Sequence, residues 1–355
     1  MKTDQLTFTR FIAALLIVFF HFAGNILRTE SLFINTIREN FFLGVSYFYV
    51  LSGFVMILAY GDQPRVDNKK YLTNRIARLY PLHLFTLALT VIISILIAIN
   101  YLEFFRIDIR TLILNATLLH AWIPDASLTF NVPSWSISVE MFFYLIFPFV
   151  FNYLFRKMSL ASFAVFVLLF WMASQVLLNV FYTSSSYGGY NSADRYFIHY
   201  NPLFHVSSFL VGILSAALFK KYSAVFSKNF DLLIVLTFAV TLIMIYLCRD
   251  YLLHNGLMAL NFAIIIILIA GNTGKITQLF RHKFLIHLGN ISFALYLLQN
   301  PVFILLRKIF KVINIQDDYI ILLVGLPLLL LSSHLTYRWI EIPCQKKIRN
   351  LLQPH

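Results

Sequence analysis

Arg10 and His21 are separated by ten apolar residues, FIAALLIVFF. At about 1.5 Å and about 100° per residue, eleven positions put His21 on nearly the same helical face as Arg10 but roughly 16 Å further along, near the centre of a hydrocarbon layer about 30 Å thick. An ionisable group at that depth is costly and generally faces a bundle interior or a wet cavity, so His21 is a functional candidate. Of fifteen acidic residues, Glu140 alone falls inside an apolar run, NVPSWSISVEMFFYLIFP. A carboxylate in low dielectric needs a cation, hydrogen-bond donors or a proton. It either works beside an imidazole or pins two helices together, and both readings stand. Arg75 and Arg78, in NRIARLYP, lie three apart and share a helical face. Guanidinium pairs suit bidentate phosphate contacts, while positive-inside anchoring is the competing explanation.

Pro133 followed by Ser134, Trp135, Ser136 and Ser138 marks a helix start with hydroxyls in its first turns. Those hydroxyls either cap the helix or line a polar cavity. No serine stands in a nucleophile-elbow context. His83 and His120 read as structural or interfacial, and no spacing among the ten histidines resembles a zinc site, so no metal is expected.

The elements that must position these residues are apolar helices. With 355 residues, 60% hydrophobic and 12% charged, the chain reads as an integral membrane protein; its mean hydropathy is +0.78. Apolar runs at 11–27, 41–60, 79–100, 137–155, 159–180, 202–219, 231–248, 255–270, 285–306 and 319–337 predict ten spans. Thr111 to Ile123 is shorter and fits an eleventh span or a re-entrant or interfacial piece. If it does not cross, 19 of the 28 Lys and Arg residues fall on one side and 9, Arg106 among them, on the other. That asymmetry puts both termini in the cytoplasm.

The same bias accounts for the net charge of +13 without nucleic acid as a partner. Cys248 and Cys344 are too few and too far apart for a disulfide framework. The first apolar segment has no small-residue cleavage site after Leu27 and reads as a retained span rather than a signal peptide. Tyr182 to His199, the longest polar loop, falls outside in this topology and is either a flexible connector or a loop that faces an acceptor. No internal repeat or appended soluble domain is visible, so residues 1–355 read as a single transmembrane domain.

Taken in order, these motifs resemble those of the acyltransferase-3 membrane proteins, bacterial enzymes that mostly acetylate cell-surface carbohydrates from acetyl-CoA. Arg10 with His21 is similar to that family's arginine, ten residues, histidine signature. Gly44-VSYFYVL-Ser52-Gly53-Phe54 resembles its second-helix motif, and Arg75 with Arg78 its paired arginines. Asn131-Val-Pro133-Ser134-Trp135-Ser136-Ile-Ser138-Val-Glu140 resembles its Trp-Ser-x-x-x-Glu motif. Leu288-Gly289-Asn290-Ile291-Ser292 through Leu297, and Tyr337-Arg-Trp-Ile-Glu341-Ile-Pro343, resemble its closing motifs.

The resemblance implies an all-α polytopic protein of about ten helices in the bacterial cytoplasmic membrane. It implies acyl-CoA as co-substrate with no bound cofactor, and a carbohydrate acceptor. Arg75 and Arg78 would hold the donor's phosphates, with Arg10 beside the thioester route. His21 would act as general base on the acceptor hydroxyl or in passing the acyl group across the membrane. Glu140 would orient His21 or the acceptor, with Asn131, Ser134, Trp135 and Ser136 in support. Two positions depart from the family pattern: Ser46 where many members carry aspartate, and Gln299 where many carry a histidine before the proline. The second removes a possible second base. Within the class, a larger donor such as succinyl-CoA or a small-molecule acceptor is also compatible. From a different class, an exporter of a lipid-linked sugar would use His21 and Glu140 as a proton relay, but no twofold repeat or matched pair of broken helices supports it.

Overall fold

The computed structural model describes residues 4–101, 107–190 and 192–352, so Arg106 of the charge comparison and Asn191 of the long polar loop lie outside the described residues. The protein is a multi-pass bundle, with ten apolar helices among the described residues. These are α1 Gln5–Phe22, α2 Gly44–Tyr60, α3 Asn68–Tyr101, α4 Trp135–Phe149, α5 Leu160–Tyr182, α6 Val206–Lys221, α7 Asp231–Leu247, α8 Ala259–Gly271, α9 Lys283–Val312 and α10 Asp318–Thr336. Counting the short turns continuous with them, eight are long and apolar enough to cross a membrane, while α7 and α8 are shorter apolar helices. The ten spans expected from the sequence are all present as helices.

Small residues set the packing at the centre, as expected where lipid supplies no hydrophobic drive between helices. Gly53 of α2 and Gly212 of α6 face each other so closely that a Cβ on the first would strike Phe209 O and one on the second Val50 O. Gly289 of α9 meets the backbone of α1 in the same way, at Thr7 O. Helix α1 thus lies between α2 and α9, which places Arg10 inside the bundle. Helices α5 and α7 turn most of their Leu and Val side chains outward, as lipid-facing helices do.

Four helices carry an internal proline: Pro81, Pro148, Pro301 and Pro327. The lost N–H is tolerated because neighbouring turns readjust. After Pro148 the chain widens into a π-helical stretch, Val150–Phe155, whose i→i+5 bonds carry α4 to its end.

Thr111 to Ile123 does not continue as a span. Helix Ile109–Ala116 has eight residues, about 12 Å of rise. The chain then turns at Leu118, with φ of 60°, and comes back through a short 3-10 turn at His120–Trp122. Polar contacts dock it: Asn115 O accepts from His83 Nε2 at 2.8 Å, Leu118 O accepts from Ser138, and Ser134 Oγ lies 3.2 Å from His120 Nε2.

Helix α1 starts and α10 ends at one face of the bundle, called here the N face. A π-helical turn at Tyr337–Glu341 and helix Ile342–Leu352 follow α10.

Candidate active site

Arg10, Arg75, Arg78 and Glu140, far apart in sequence, line one cavity of about 200 Å³ together with Ser136, Ser52, Tyr49, Tyr144, Ser292 and Tyr296. Each is delivered by helical geometry. Arg75 and Arg78 project together because they are one turn apart on α3, and Glu140 and Tyr144 because they are i and i+4 on α4. Tyr144 donates its hydroxyl hydrogen to Glu140 Oε1.

Arg75 is held in place without a carboxylate partner. Arg75 sits in an aromatic cage, its guanidinium carbon 5.6 Å from the ring centre of Tyr60 and 5.4 Å from those of Tyr71 and Tyr144. Its Nη2 also donates to the Tyr60 hydroxyl at 3.2 Å. Arg10 lies in the field of Arg78, Glu140 and Glu341. Among the described residues, however, no carboxylate comes within ion-pair distance of Arg10, Arg75 or Arg78. Three guanidiniums uncommitted to carboxylates in one half-enclosed cavity form an anion-binding arrangement.

Of the supporting residues, Ser136 lines the cavity and lies 2.8 Å from the Tyr296 hydroxyl, which itself donates to Pro133 O at 2.9 Å. Asn131 braces from behind, donating to Leu297 O at 2.9 Å. Ser134 contacts His120, and Trp135 packs against Tyr200, His205 and His254 with ring centres 4.9, 5.7 and 5.3 Å away. These three support the wall without facing the cavity.

His21 is not brought to the cavity. Helix α1 stops at Phe22, because Gly24 and Asn25 turn the chain, so the expected run to Leu27 is cut short. His21 is therefore the penultimate residue of α1, exposed at the end of the helix opposite the N face. Its ring meets Phe20 edge-on at 5.0 Å and lies tilted to Phe22 at 6.0 Å, and it makes no contact with Glu140. The roughly 16 Å between the levels of Arg10 and His21 stands. Ala14 and Ile17, on the same face between them, are buried.

Several groups were not singled out by sequence reasoning. Glu341, placed with the terminal segment after the last span, is 6% exposed and lies in the field of Arg78 and Arg10, so Glu140 is not the only carboxylate drawn into the interior. The π-helical turn after α10 brings it there, and its position in a closing motif was the available signal. Tyr144 and the rings around Arg75 carried no distinguishing signal among 19 tyrosines. His199, His205 and His254 converge around Trp135 on the side opposite the N face, where helix Ala193–Tyr200 of the long polar loop folds inward. No sequence pattern announced that meeting. Both departures from the family pattern are fully buried: Ser46 donates to His254 O at 2.6 Å and ties α2 to the turn before α8, while Gln299 donates to Tyr296 O at 2.7 Å one turn back in its own helix. Among the described residues no three His, Cys, Asp or Glu side chains are grouped to hold a metal ion.

A family model described as an acyltransferase domain matches residues 4–338. The chain is 33% identical over 156 residues to the acyltransferase MdmB of Streptomyces mycarofaciens, covering 42% of this chain and 39% of that protein. It is 22% identical over 329 residues to the O-acetyltransferase OatA of Staphylococcus aureus, covering 86% of this chain and 53% of the relative. With the putative peptidoglycan O-acetyltransferase YrhL of Bacillus subtilis the identity is 24% over 328 residues, 85% of this chain and 50% of the relative. The chain thus spans about half, or less, of the length of the curated relatives it matches. No solved structure matches it.

Proposed function

The chain belongs to the acyltransferase-3 family, and on that footing we propose that it transfers an acyl group, acetyl foremost, from a CoA thioester to a hydroxyl of a cell-surface carbohydrate. The observation that carries this reading is the convergence of Arg10, Arg75 and Arg78, uncommitted to carboxylates, in one cavity near the N face. Phosphates of the donor are the anions such a set would hold, and the N face is then the cytoplasmic side of a bacterial inner membrane.

From that anchor the acyl group must reach a base. The arm between the CoA diphosphate and its sulfur has about a dozen backbone bonds, the length of four extended residues, roughly 14 Å. That is close to the roughly 16 Å from Arg10 to His21 along α1. His21 would take the proton of the acceptor hydroxyl as the alcohol oxygen attacks the thioester carbonyl. The thiolate of CoA leaves and is reprotonated. Ala14 and Ile17 close the path between the cavity and His21 in this structure, so they would have to part for the arm to pass, and the acceptor would approach from the side where His21 is exposed.

A second assignment within the same reaction rests on one observation: Glu140 lines the cavity itself, whereas His21 does not. In that case Glu140 is the proton acceptor, and transfer occurs beside Arg10.

Acetyl-CoA turnover by the purified protein, with His21→Ala and Glu140→Gln side by side, separates the two. Loss of a general base costs about 10²–10⁴-fold in turnover with little change in donor KM. If His21→Ala suffers that loss and Glu140→Gln does not, the first assignment holds, and the reverse pattern supports the second. Turnover unchanged in both would refute acyl transfer from this cavity. An exporter working by proton relay would consume no thioester in any form.

A further inference from the structure

A larger cavity of about 460 Å³ opens at the N face between the end of α2, the junction of α4 with α5, and the end of α6. Its walls divide by chemistry. Phe155, Met158, Leu160 and Ala217 make an apolar floor backed by the buried Ile57 and Phe163, and Arg156, Lys220 and Lys221 stand at the rim.

The rim is built. The π-helical stretch Val150–Phe155 carries α4 round so that Arg156 Nη2 donates to Gln63 O at 2.5 Å. Lys220 Nζ reaches Asp62 at 2.7 Å, and Asn152 accepts from Val66 N at 2.9 Å. Three side chains from two helices therefore latch residues 62–66 beside the opening. With Asp62 counted, three cations and one anion leave a net charge of +2 there.

We propose that this cavity binds an anionic glycerophospholipid of the surrounding leaflet, its phosphate at Arg156, Lys220 and Lys221 and one acyl chain along Phe155, Met158 and Leu160. The two-ended lining decides the class. A free phosphate or a nucleotide would leave the apolar floor unmatched, and a zwitterionic lipid would set its choline cation against the rim. A cationic pocket between membrane helices at the headgroup level is the setting in which an anionic lipid gains both terms. None of the residues involved lines the Arg10 cavity, so the inference does not depend on the assigned reaction.

The test titrates purified protein in detergent with phosphatidylglycerol, phosphatidylcholine or sn-glycerol 1-phosphate, reading bound lipid by native mass spectrometry. Phosphatidylglycerol should bind at least ten-fold more tightly than phosphatidylcholine. In the doubly substituted Arg156→Gln, Lys221→Gln protein it should bind about 30-fold more weakly, at about 1 kcal/mol per cation. Ala217→Leu, which fills the floor and keeps every cation, should weaken phosphatidylglycerol as well. Both substituted side chains are exposed and the hydrogen bond given up is that of Arg156 to Gln63 O, so the double variant should melt within a few degrees of wild type in lipid-free detergent. Equal binding of the two lipids, or an unchanged affinity in a folded double variant, would overturn the proposal. Glycerol phosphate binding as tightly as phosphatidylglycerol would show an anion site and refute the lipid.

Discussion

Replacing Arg75 by methionine removes the cation from the one aromatic cage in the anion cavity, and the cost can be worked from its contacts. Three ring contacts at 5.4 to 5.6 Å are worth about 0.5–1 kcal/mol each, and the hydrogen bond to Tyr60 about 1 kcal/mol. The local loss is about 2.5–4 kcal/mol, of which the apolar methionine returns part by packing against the rings. On the ligand side, a charge-assisted bond to a phosphate is worth about 1.5–3 kcal/mol, so donor KM should rise roughly 10–150-fold. The rise should come with a smaller change in kcat, because the phosphates lie away from the reacting carbonyl. Arg75→Lys separates the two roles. It keeps a cation over the rings and so most of the stability, but loses the planar fork, and donor KM should still rise. Steady-state thioester turnover against acetyl-CoA concentration reads the first effect and thermal melting in detergent the second. A methionine variant that melts several degrees lower yet keeps the wild-type donor KM would show that the cage is structural and that Arg75 binds no phosphate.

Other expectations follow from the same geometry. Glu341→Gln removes a buried carboxylate from the field of Arg10 and Arg78, so donor KM should fall roughly two- to five-fold; a rise would mean that Glu341 instead holds the arginines in position. Gly212→Val drives a side chain into Val50 O and should cost about 1–3 kcal/mol or block assembly, read as lost monodisperse yield, whereas normal yield and melting would refute the close α2–α6 contact. Acid should destabilise the protein through two histidines outside the spans. Burial, with His83 adding, holds His120 down to about 3, and burial, with Arg195 adding, holds His199 down to about 4, both from 6.5. The unfolded chain then binds the extra protons, so this stability is complete above about pH 6.5 and is lost as pH falls towards 4. Melting temperature should drop across that window, and the slope should flatten in His199→Gln; an identical slope in that variant would contradict the buried, neutral assignment.

How much was legible beforehand depends on which physical signal each feature leaves. The ten helices were visible because each buries its own backbone polar groups behind a long apolar run, and the short Thr111 to Ile123 segment betrayed itself by length and by charge arithmetic. Arg75 with Arg78, and Glu140, were visible because charge inside or beside an apolar run needs a reason. Their meeting with Arg10 was not visible, since it depends on how α1, α3 and α4 pack. The end of α1 was not legible from hydropathy: the apolar run continues to Leu27, but Gly24 and Asn25 end the helix earlier. Glu341 was missed because a span boundary drawn by hydropathy cannot register a π-helical turn that swings a carboxylate inward. The two-ended cavity at the N face left no sequence signal, since its cations read as ordinary positive-inside residues.

The central claim, that the Arg10, Arg75 and Arg78 cavity holds an acyl-CoA whose acyl group passes to a surface carbohydrate, is tested most directly by following a labelled acetyl group. Cells carrying wild type, Arg75→Ala or His21→Ala would be supplied with isotopically labelled acetyl-CoA precursor and their surface glycans analysed by mass spectrometry. The account predicts a labelled acetyl group on the glycan of the wild type that is lost with His21→Ala, and lost or strongly reduced with Arg75→Ala. Label on the glycan that persists undiminished in both variants at wild-type protein levels would contradict it.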